Sequence, residues 1–281
     1  MSAFEGELIV VRLLPYGIMA PKQAGCPVGV MNLLETCRNR LSGTVAIVTG
    51  ASKGIGAAIS GALAANGVKV LCFARTGADV EAVATQINAA GGTAIAHAGD
   101  ATCPDDIASA VEKIESEFGE LHIAFLNAGG DVYQSSIVDS DVSLWSRGIE
   151  TNLHSVFYGI RAVAPLMIRS KGGRIILTGS AMGHYPQADH SNYCVGKAGA
   201  RLVARTAALE LAAFNISVNE FIPGPTETEQ ALLAAAGKVD SPFKNPNEWV
   251  KKPEDVVPLA LLLAGYPGAG PTGQVFSLAR R

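Results

Sequence analysis

The sequence predicts an α/β fold: a single doubly wound domain with a mainly seven-stranded parallel sheet. Two observations predict it. From residue 45 onward, short apolar segments rich in β-branched residues alternate with segments of helical periodicity, and parallel strands need such helical crossovers. Glycine-rich turns also follow one strand after another. They indicate the carboxyl edge of the sheet, where ligands of this fold class bind.

The predicted strands follow one another along the chain, most of them with a helix after them. The first three units are "TVAIVTG" (44–50) with "GIGAAISGALAANG" (54–67), "VKVLCFA" (68–74) with "ADVEAVATQINAAGG" (78–92), and "TAIAHAGD" (93–100) with "PDDIASAVEKIESEFG" (104–119). The other strands are "LHIAFLNAGG" (121–130), "GGRIILTGS" (172–180), "ISVNEFIPG" (216–224) and "GQVFSL" (273–278), with long helices near 141–169 and 191–213. This alternation predicts right-handed crossovers and helices on both faces of the sheet.

Residues 1–41 do not share this rhythm. They contain three prolines and show no clear period, so we expect a peripheral or disordered N-terminal extension and a folded domain at 42–281. The segment near 226–250 is expected to form a mobile substrate lid. Its apolar residues would line a partly apolar pocket: Leu232, Leu233, Phe243 and Trp249.

The composition argues against several classes of function. Hydrophobic residues make up 48% of the chain and charged residues 17%, and the formal net charge is −3. These values favour a large core and give no electrostatic case for nucleic acid or an acidic membrane surface. No apolar run reaches the ~18 residues of a membrane span. The five cysteines and five histidines are scattered without metal-ligand spacing, so we expect no metal site, reduced thiols and a cytoplasmic protein.

A glycine-rich loop, "TGASKGIG" (49–56), joins the first strand to the first helix. Glycines let the backbone approach a phosphate closely, and a helix N-terminus attracts its charge. The first gap is longer than in the usual dinucleotide fingerprint, and such a loop could be a mere turn. Its place at the first strand–helix junction favours a dinucleotide and a Rossmann-type domain. The expected contacts are Gly50, Ser52, Lys53, Gly54, Ile55 and Gly56.

The end of the second strand indicates which dinucleotide binds. An NAD-specific site has an acidic residue there, ~20 residues after the glycines, to hold the ribose hydroxyls. This chain has Ala74 and Arg75 instead. Arg75 would bind a 2′-phosphate, with Lys53 as a second cation nearby. Either cation alone could be a solvated surface charge, but together with the missing acid they favour NADP(H), with NAD(H) as the alternative cofactor.

The motif "YCVGK" (193–197) puts Tyr193 and Lys197 on one face of a predicted helix. A free phenol ionises near pH ~10, and lowering its pKa to ~7 needs ~4 kcal/mol. A unit charge ~4 Å away supplies that much only where the effective dielectric constant is near ~20. We therefore expect Lys197 to make Tyr193 an acid–base group once cofactor and substrate exclude water.

Six motifs in order resemble the short-chain dehydrogenase/reductase family over about residues 42–278: "TGASKGIG", "NAGG", the Asn of "TNLHS", a Ser thirteen residues before the Tyr, "YCVGK" and "PGPTET". The resemblance implies a catalytic tetrad of Asn152, Ser180, Tyr193 and Lys197. It also implies a homodimer or homotetramer built through the long helices. Beyond the glycine loop and Arg75, it implies cofactor contacts from Asp100, Ala101, Asn127, Ala128, Gly129, Tyr193, Lys197, Pro223, Gly224, Thr226 and Thr228.

Some of these residues also have a simpler interpretation. Asp100 could begin the loop before Pro104, Asn152 could be a buried hydrogen-bonding residue, and Ser180 could satisfy only its own turn. His184 and His190 lie near the predicted site and stay unassigned.

The predicted function is an NADP(H)-dependent oxidoreductase that interconverts a ketone or aldehyde with an alcohol, with 3-oxoacyl thioesters among the candidate substrates. Tyr193 would protonate the carbonyl oxygen and Ser180 would hydrogen-bond it. Lys197 would tune Tyr193 and bond the nicotinamide ribose, while Asn152 would hold a water that relays protons to bulk solvent. Two alternatives stay open: an NAD-dependent alcohol dehydrogenase, and a dinucleotide-binding regulator without catalysis.

Overall fold

A seven-stranded sheet forms the centre of the molecule, with the strand order β3-β2-β1-β4-β5-β6-β7 and parallel pairing throughout. The structure is a computed structural model, and it describes residues 36–37, 39–131, 133–229, 231–232, 249–267 and 270–279. The strands are β1 (Val45–Thr49), β2 (Lys69–Ala74), β3 (Thr93–Ala98), β4 (Ile123–Leu126), β5 (Gly173–Thr178), β6 (Ile216–Ile222) and β7 (Val275–Ser277). The predicted fold class and all seven predicted strands are confirmed.

The helices form two layers, one on each face of the sheet. In chain order they are α1 (Gly54–Ala65), α2 (Gly77–Ala89), α3 (Pro104–Phe118), α4 (Val142–Ile149), α5 (Ser155–Arg169), α6 (Ser191–Leu211) and α7 (Val257–Gly265). Helices α3, α5 and α6 share one apolar core with the sheet, and α1, α2 and α7 share the other. Because both faces are covered, β1 and β4 are buried along their whole length, and their sequences are continuous apolar runs.

The direction of winding reverses beside β1, and this reversal positions the site. Strand β1 lies between β2 and β4, so the connections after β1 and β4 run toward opposite edges of the sheet. A crevice forms at such a point outside the carboxyl ends of the strands. The glycine loop, the "NAGG" segment and the turn after β5 all follow strands at this edge.

The end of the predicted N-terminal extension packs on the domain. Residues 36–37 and 39–41 are helical, and the side chains of Cys37 and Leu41 are only 4% and 1% exposed. A Cβ added to Gly265 at the end of α7 would overlap the carbonyl oxygen of Cys37. These residues therefore belong to the packed domain, although the sequence analysis assigned them to the extension. Residues 1–35 lie outside the described residues, as does most of the predicted lid, including Leu233 and Phe243.

Within the described part of the chain, no helix has the length and apolar character needed to cross a membrane.

Candidate active site

Tyr193 and Lys197 lie in the first two turns of α6, one turn apart. The Lys197 ammonium is 5.7 Å from the centre of the Tyr193 ring. It donates a hydrogen bond of 2.7 Å to the carbonyl oxygen of Thr178, the last residue of β5. The side chain of Lys197 is 4% exposed. The helix and the strand end therefore hold this ammonium at the carboxyl edge of the sheet.

Ser180 follows β5 by two residues and faces Tyr193. Its hydroxyl accepts a hydrogen bond from the backbone N–H of Met182 at 3.2 Å, which caps the short 3₁₀ turn Ala181–Gly183. The same side chain hydrogen-bonds the Tyr193 phenol, and this bond lowers the phenol pKa. Ser180 thus satisfies its own turn and also reaches the tyrosine hydroxyl.

Asn152 lies in a single π-helical turn, Glu150–His154, between α4 and α5. Such a turn interrupts the regular ladder of helical hydrogen bonds. The side chain is fully buried, and its amide donates to the carbonyl oxygens of Gly130 (2.8 Å) and Gly148 (3.0 Å). Its oxygen accepts from the Gly130 N–H at 3.0 Å. Both amide N–H bonds are used, so a relay water would have to bind the remaining lone pair or the main chain.

The four tetrad residues meet around the loop after β4. A Cβ placed on Gly129 would lie 3.0 Å from Asn152 Oδ1 and 3.1 Å from Lys197 Nζ. Gly129 therefore leaves room for two of the predicted catalytic side chains to approach the backbone from different elements. The structure places Lys197 close to Asn152 and Tyr193, and Ser180 close to Tyr193; the catalytic roles of these residues stay a prediction.

Burial dominates the ionisation of the catalytic pair. It raises the pKa of Tyr193 to about 12, the hydrogen bond from Ser180 opposes the rise, and the charge of Asp131 adds to it. Burial also lowers the pKa of Lys197 to about 8, opposed by the charge of Glu220. The sequence analysis expected Lys197 to lower the pKa of Tyr193. That expectation applies to the site closed by cofactor and substrate; in the protein alone, burial raises the pKa of Tyr193 and the hydrogen bond with Ser180 opposes the rise.

Two carboxylates near the pair were missed by the sequence analysis, the partly buried Asp131 and the buried Glu220. Asp131 directly follows "NAGG", and its Oδ2 lies 2.7 Å from Nδ1 of His190, which is 6% exposed. Glu220 lies in β6 and pairs with His184. A signal for Glu220 was present in the sequence, since an acid in the middle of "ISVNEFI" interrupts a strand that should be buried on both faces.

The glycine loop between β1 and α1 forms a tight cradle. Gly50 and Gly54 have φ angles of +66° and +56°, which L side chains rarely adopt. A Cβ on Gly56 would overlap the carbonyl oxygen of Gly50. Helix α1 begins at Gly54 without a side-chain cap at Lys53, so its first N–H groups can serve an anion. Ser52 and Ile55 are partly exposed beside them. These features fit the pyrophosphate of a dinucleotide.

The two predicted 2′-phosphate ligands differ in their surroundings. Arg75 directly follows β2, is exposed, and makes no hydrogen bond or ion pair with the residues that the structure describes. Lys53 Nζ lies 2.6 Å from Glu229 Oε2, and both side chains are more than half exposed. The charge of Lys53 is therefore already compensated, which leaves Arg75 as the better candidate for a phosphate.

Asp100 and Ala101 lie in the loop that follows β3. Asp100 Oδ1 accepts hydrogen bonds of 2.9 Å from both the N–H and the hydroxyl of Thr102. The simpler interpretation, a residue that organises its own loop, is therefore correct for this oxygen. Ala101 is buried with 8% exposure, so its side chain packs in the apolar core and holds this loop against it.

Asn127 fastens three strand ends together. Its amide donates to the carbonyl oxygen of Thr49 at 3.2 Å, and its oxygen accepts from the Thr178 hydroxyl at 3.0 Å. The backbone N–H groups of Asn127 and Ala128 both donate to the Thr49 hydroxyl. The ends of β1, β4 and β5 are thus joined by one side chain.

The loop after β6 crosses to the glycine loop. It begins at Pro223 and turns at Gly224, which has a φ of +70°. Thr226 donates from its hydroxyl to the Gly224 carbonyl oxygen at 3.1 Å. A Cβ on Gly54 would lie 3.0 Å from the methyl group of Thr228. The loops after the first and sixth strands therefore touch one another at the carboxyl edge of the sheet.

No group of three or more metal-binding side chains occurs within the described residues.

Known proteins resemble this chain along most of its length. A sequence model of the short chain dehydrogenase family matches residues 44–235. The chain is 32% identical over 240 residues to cyclohexanol dehydrogenase of Acinetobacter sp. (strain SE19), covering 85% of this chain and 94% of that protein. It is 39% identical over 189 residues to 3-oxoacyl-[acyl-carrier-protein] reductase FabG of Escherichia coli (strain K12), covering 66% and 75%.

Among solved structures, one neighbour is a 7α-hydroxysteroid dehydrogenase complexed with NADH and 7-oxo glycochenodeoxycholic acid. It superposes with a TM-score of 0.79 at 27% identity, covering 87% of this chain and 96% of that one.

Proposed function

Because this chain belongs to the short-chain dehydrogenase/reductase family and is an oxidoreductase of alcohol or carbonyl groups, we propose that it is an NADP(H)-dependent carbonyl reductase. The observation that carries the proposal is the meeting of Ser180, Tyr193 and Lys197 at the carboxyl edge of the sheet. They lie across the cleft from a glycine loop that fits a pyrophosphate.

The dinucleotide would be held by the chain from three sides. Gly50, Gly54 and Gly56 would receive the pyrophosphate at the N-terminus of α1, and Pro223 to Thr228 would border the nicotinamide. Lys197 would bond the nicotinamide ribose. The bound cofactor supplies a hydride to the carbonyl carbon of the substrate, or accepts one from the alcohol.

Tyr193 supplies the proton. With a pKa of about 12 in the protein alone, the phenol keeps its proton over the whole neutral range, so it is ready to protonate the developing alkoxide during reduction. Ser180 already hydrogen-bonds the phenol, and its hydroxyl would also stabilise the charge that develops on the substrate oxygen. In the oxidative direction the phenol must lose its proton, and the positive charges of Lys197 and of an oxidised nicotinamide would then favour the phenolate.

Arg75 supports NADP(H) over NAD(H). It is an exposed cation at the position where an NAD site has an acid, and no described residue compensates its charge. Lys53 would add to phosphate binding only after its ion pair with Glu229 opens. A neighbour with NADH bound makes an NAD-dependent alcohol dehydrogenase the second candidate, and it differs from the first in the preferred dinucleotide.

The substrate class follows from the relatives and from the segment expected to form the lid. One relative is named for a cyclic alcohol and another for a 3-oxoacyl thioester. Within the segment expected to form the lid, Leu232 and Trp249 are 49% and 36% exposed, which suits a partly apolar ketone, aldehyde or 3-oxoacyl thioester.

Helices α5 and α6 support a homodimer or homotetramer. Val195, Leu202 and Leu209 lie seven residues apart on α6 and are 50%, 64% and 83% exposed, and Phe157 on α5 is 47% exposed. An apolar stripe of this kind is typical of an interface between subunits. We also place the enzyme in the cytoplasm, since the described cysteines Cys37, Cys72, Cys103 and Cys194 are free thiols.

NADPH oxidation with a panel of ketones, aldehydes and 3-oxoacyl thioesters tests the proposal. We expect turnover with at least one carbonyl class, and faster turnover with NADPH than with NADH. Tight binding of NADPH without turnover of any carbonyl compound would instead favour a non-catalytic regulator.

A further inference from the structure

Glu220 is a buried carboxylate in the middle of strand β6. Its side chain is 2% exposed. Its partners in register on the two neighbouring strands are Leu177 of β5 and Val275 of β7, both apolar. An ionised carboxylate in such surroundings is costly unless charges or hydrogen-bond donors face it. The groups that face Glu220 therefore decide what it does.

A directed chain of hydrogen bonds ends on this carboxylate. Arg201 Nη1 lies 3.1 Å from His184 Nδ1, and His184 Nε2 lies 3.0 Å from Glu220 Oε2. A guanidinium can only donate, so Nδ1 of His184 must accept and its ring proton lies on Nε2. That proton is donated to Glu220. Burial raises the pKa of Glu220, and the chain from Arg201 through His184 opposes the rise by favouring the ionised carboxylate.

The other oxygen of Glu220 lies under the catalytic turn. Oε1 is buried without a hydrogen-bond partner, and a Cβ on Gly179 would overlap it. Gly179 connects Thr178, whose carbonyl oxygen holds the Lys197 ammonium, to Ser180. The carboxylate thus packs against the short segment that touches two tetrad side chains.

We propose that Glu220 is a positioning residue for the reaction, and that its negative charge keeps the buried Lys197 protonated and fixed at the end of β5. This inference rests on the catalytic role given to Lys197 under the proposed function. The cations facing Glu220 come from α6 (Lys197 and Arg201), and the hydrogen-bond donor His184 comes from the segment after the 3₁₀ turn. In support, burial lowers the pKa of Lys197 to about 8, and Glu220 is the charge that opposes the fall.

The isosteric change Glu220→Gln removes the charge and keeps the shape. The Lys197 ammonium is present below its pKa and is lost as pH rises through it, so kcat/KM for carbonyl reduction should fall on the alkaline side. Without the carboxylate this pKa drops further, and the alkaline limb should move to lower pH by roughly one unit. Glu115→Gln, which removes an exposed carboxylate paired with Arg169, is the matched control and should leave the limb unchanged.

His184→Ala is a second variant in case Glu220→Gln does not fold. It removes the donor to Glu220, so the carboxylate is less readily ionised and the limb should move in the same direction. A shift of the alkaline limb of kcat/KM to lower pH, in either variant that folds, supports the proposal. An alkaline limb that stays at the wild-type pH in the variants that fold overturns it.

A readout without turnover separates this inference from the proposed function. The lysine ¹³Cε signal that disappears in Lys197→Gln can be titrated in the wild-type protein and in Glu220→Gln. A lower pKa in the variant supports the role of Glu220 even if no carbonyl compound is ever turned over. Identical titration curves overturn it even in an active enzyme.

Discussion

Replacing Tyr193 by Phe removes a single hydroxyl from the candidate site. The ring that contacts the Lys197 ammonium at 5.7 Å remains, and the Ser180 hydroxyl keeps its bond to the Met182 N–H. The lost hydrogen bond should change the free energy of unfolding by only about 1 kcal/mol. The variant is therefore expected to fold, and its NADPH affinity should stay close to that of the wild-type protein.

The expected loss of activity is large because the phenol is the proton donor. General acid catalysis contributes about 10²–10⁴-fold, so kcat for carbonyl reduction should fall by at least ~100-fold, or ~2.7 kcal/mol of activation free energy. With a pKa of about 12, only about one phenol in 10⁵ is ionised at pH 7 in the protein alone. The wild-type donor is then present throughout the neutral range, and the loss should be equally large at pH 6 and pH 7.

Alcohol oxidation, unlike carbonyl reduction in the neutral range, should depend on the ionisation of Tyr193. The phenol must be ionised to accept a proton, so the wild-type rate should rise with pH. If Lys197 and the oxidised cofactor together overcome the effect of burial, this ionisation should occur well below pH ~10. It should vanish in the Phe variant.

Single-turnover nicotinamide absorbance, with cofactor titrations by fluorescence, measures these quantities. Tyr158→Phe is the control, since this tyrosine lies on α5 and packs against Phe157. A Tyr193→Phe protein with near-normal kcat would refute the assignment of the proton donor. An oxidation profile that is unchanged in the variant would refute the assignment of the ionisation.

Three further predictions follow from other parts of the fold. Arg75→Ala should weaken NADPH binding by about 10–100-fold, since a charged hydrogen bond is worth ~1.5–3 kcal/mol, and should leave NADH binding unchanged. The control is Arg205→Ala, which removes an exposed arginine on α6. Equal losses of affinity for both nucleotides would count against a 2′-phosphate site. A chain begun at Met31 should keep its melting temperature and activity. A chain begun at Ser42 loses the buried Cys37 and Leu41 and should melt several degrees lower. A lower melting temperature of the Met31 chain would show that residues 1–30 stabilise the domain. Leu202→Glu should shift the assembly toward smaller species in sedimentation or light scattering, because it puts a charge into the apolar stripe of α6, and an unchanged mass would exclude this surface as the interface.

The sheet was predictable because each of its strands is a short apolar run between turn residues. Parallel strands covered on both faces have no polar side to obscure the pattern. The tetrad was predictable for a different reason: the resemblance depends on spacing, such as that between Ser180 and Tyr193, and spacing is visible in a sequence.

Pairings between distant residues were not predictable. Lys53 and Glu229 are 176 residues apart, and nothing in the local sequence of either residue indicates the ion pair that alters the proposed phosphate site. The π-helical turn at Asn152 was not visible in "TNLHS", and neither were the hydrogen bonds between its amide and the Gly130 backbone. The pKa of Tyr193 in the protein alone depends on burial, which local sequence does not show. The expectation that Lys197 lowers this pKa applies to the site closed by cofactor and substrate, and it stays a prediction.

The ion pair between Lys53 and Glu229 joins the glycine loop to the loop after β6. A dinucleotide that enters or leaves between these loops must pass this contact or open it. Exposed pairs are worth only about 0.2–1 kcal/mol, so the contact acts as a weak latch that thermal motion opens readily. Ions in solution compete with such a pair, so we expect the rate of cofactor exchange to depend on ionic strength more strongly than the reaction at the partly buried tetrad does. In this enzyme, salt would act on how often the cofactor is replaced and not on how fast hydride and proton are transferred.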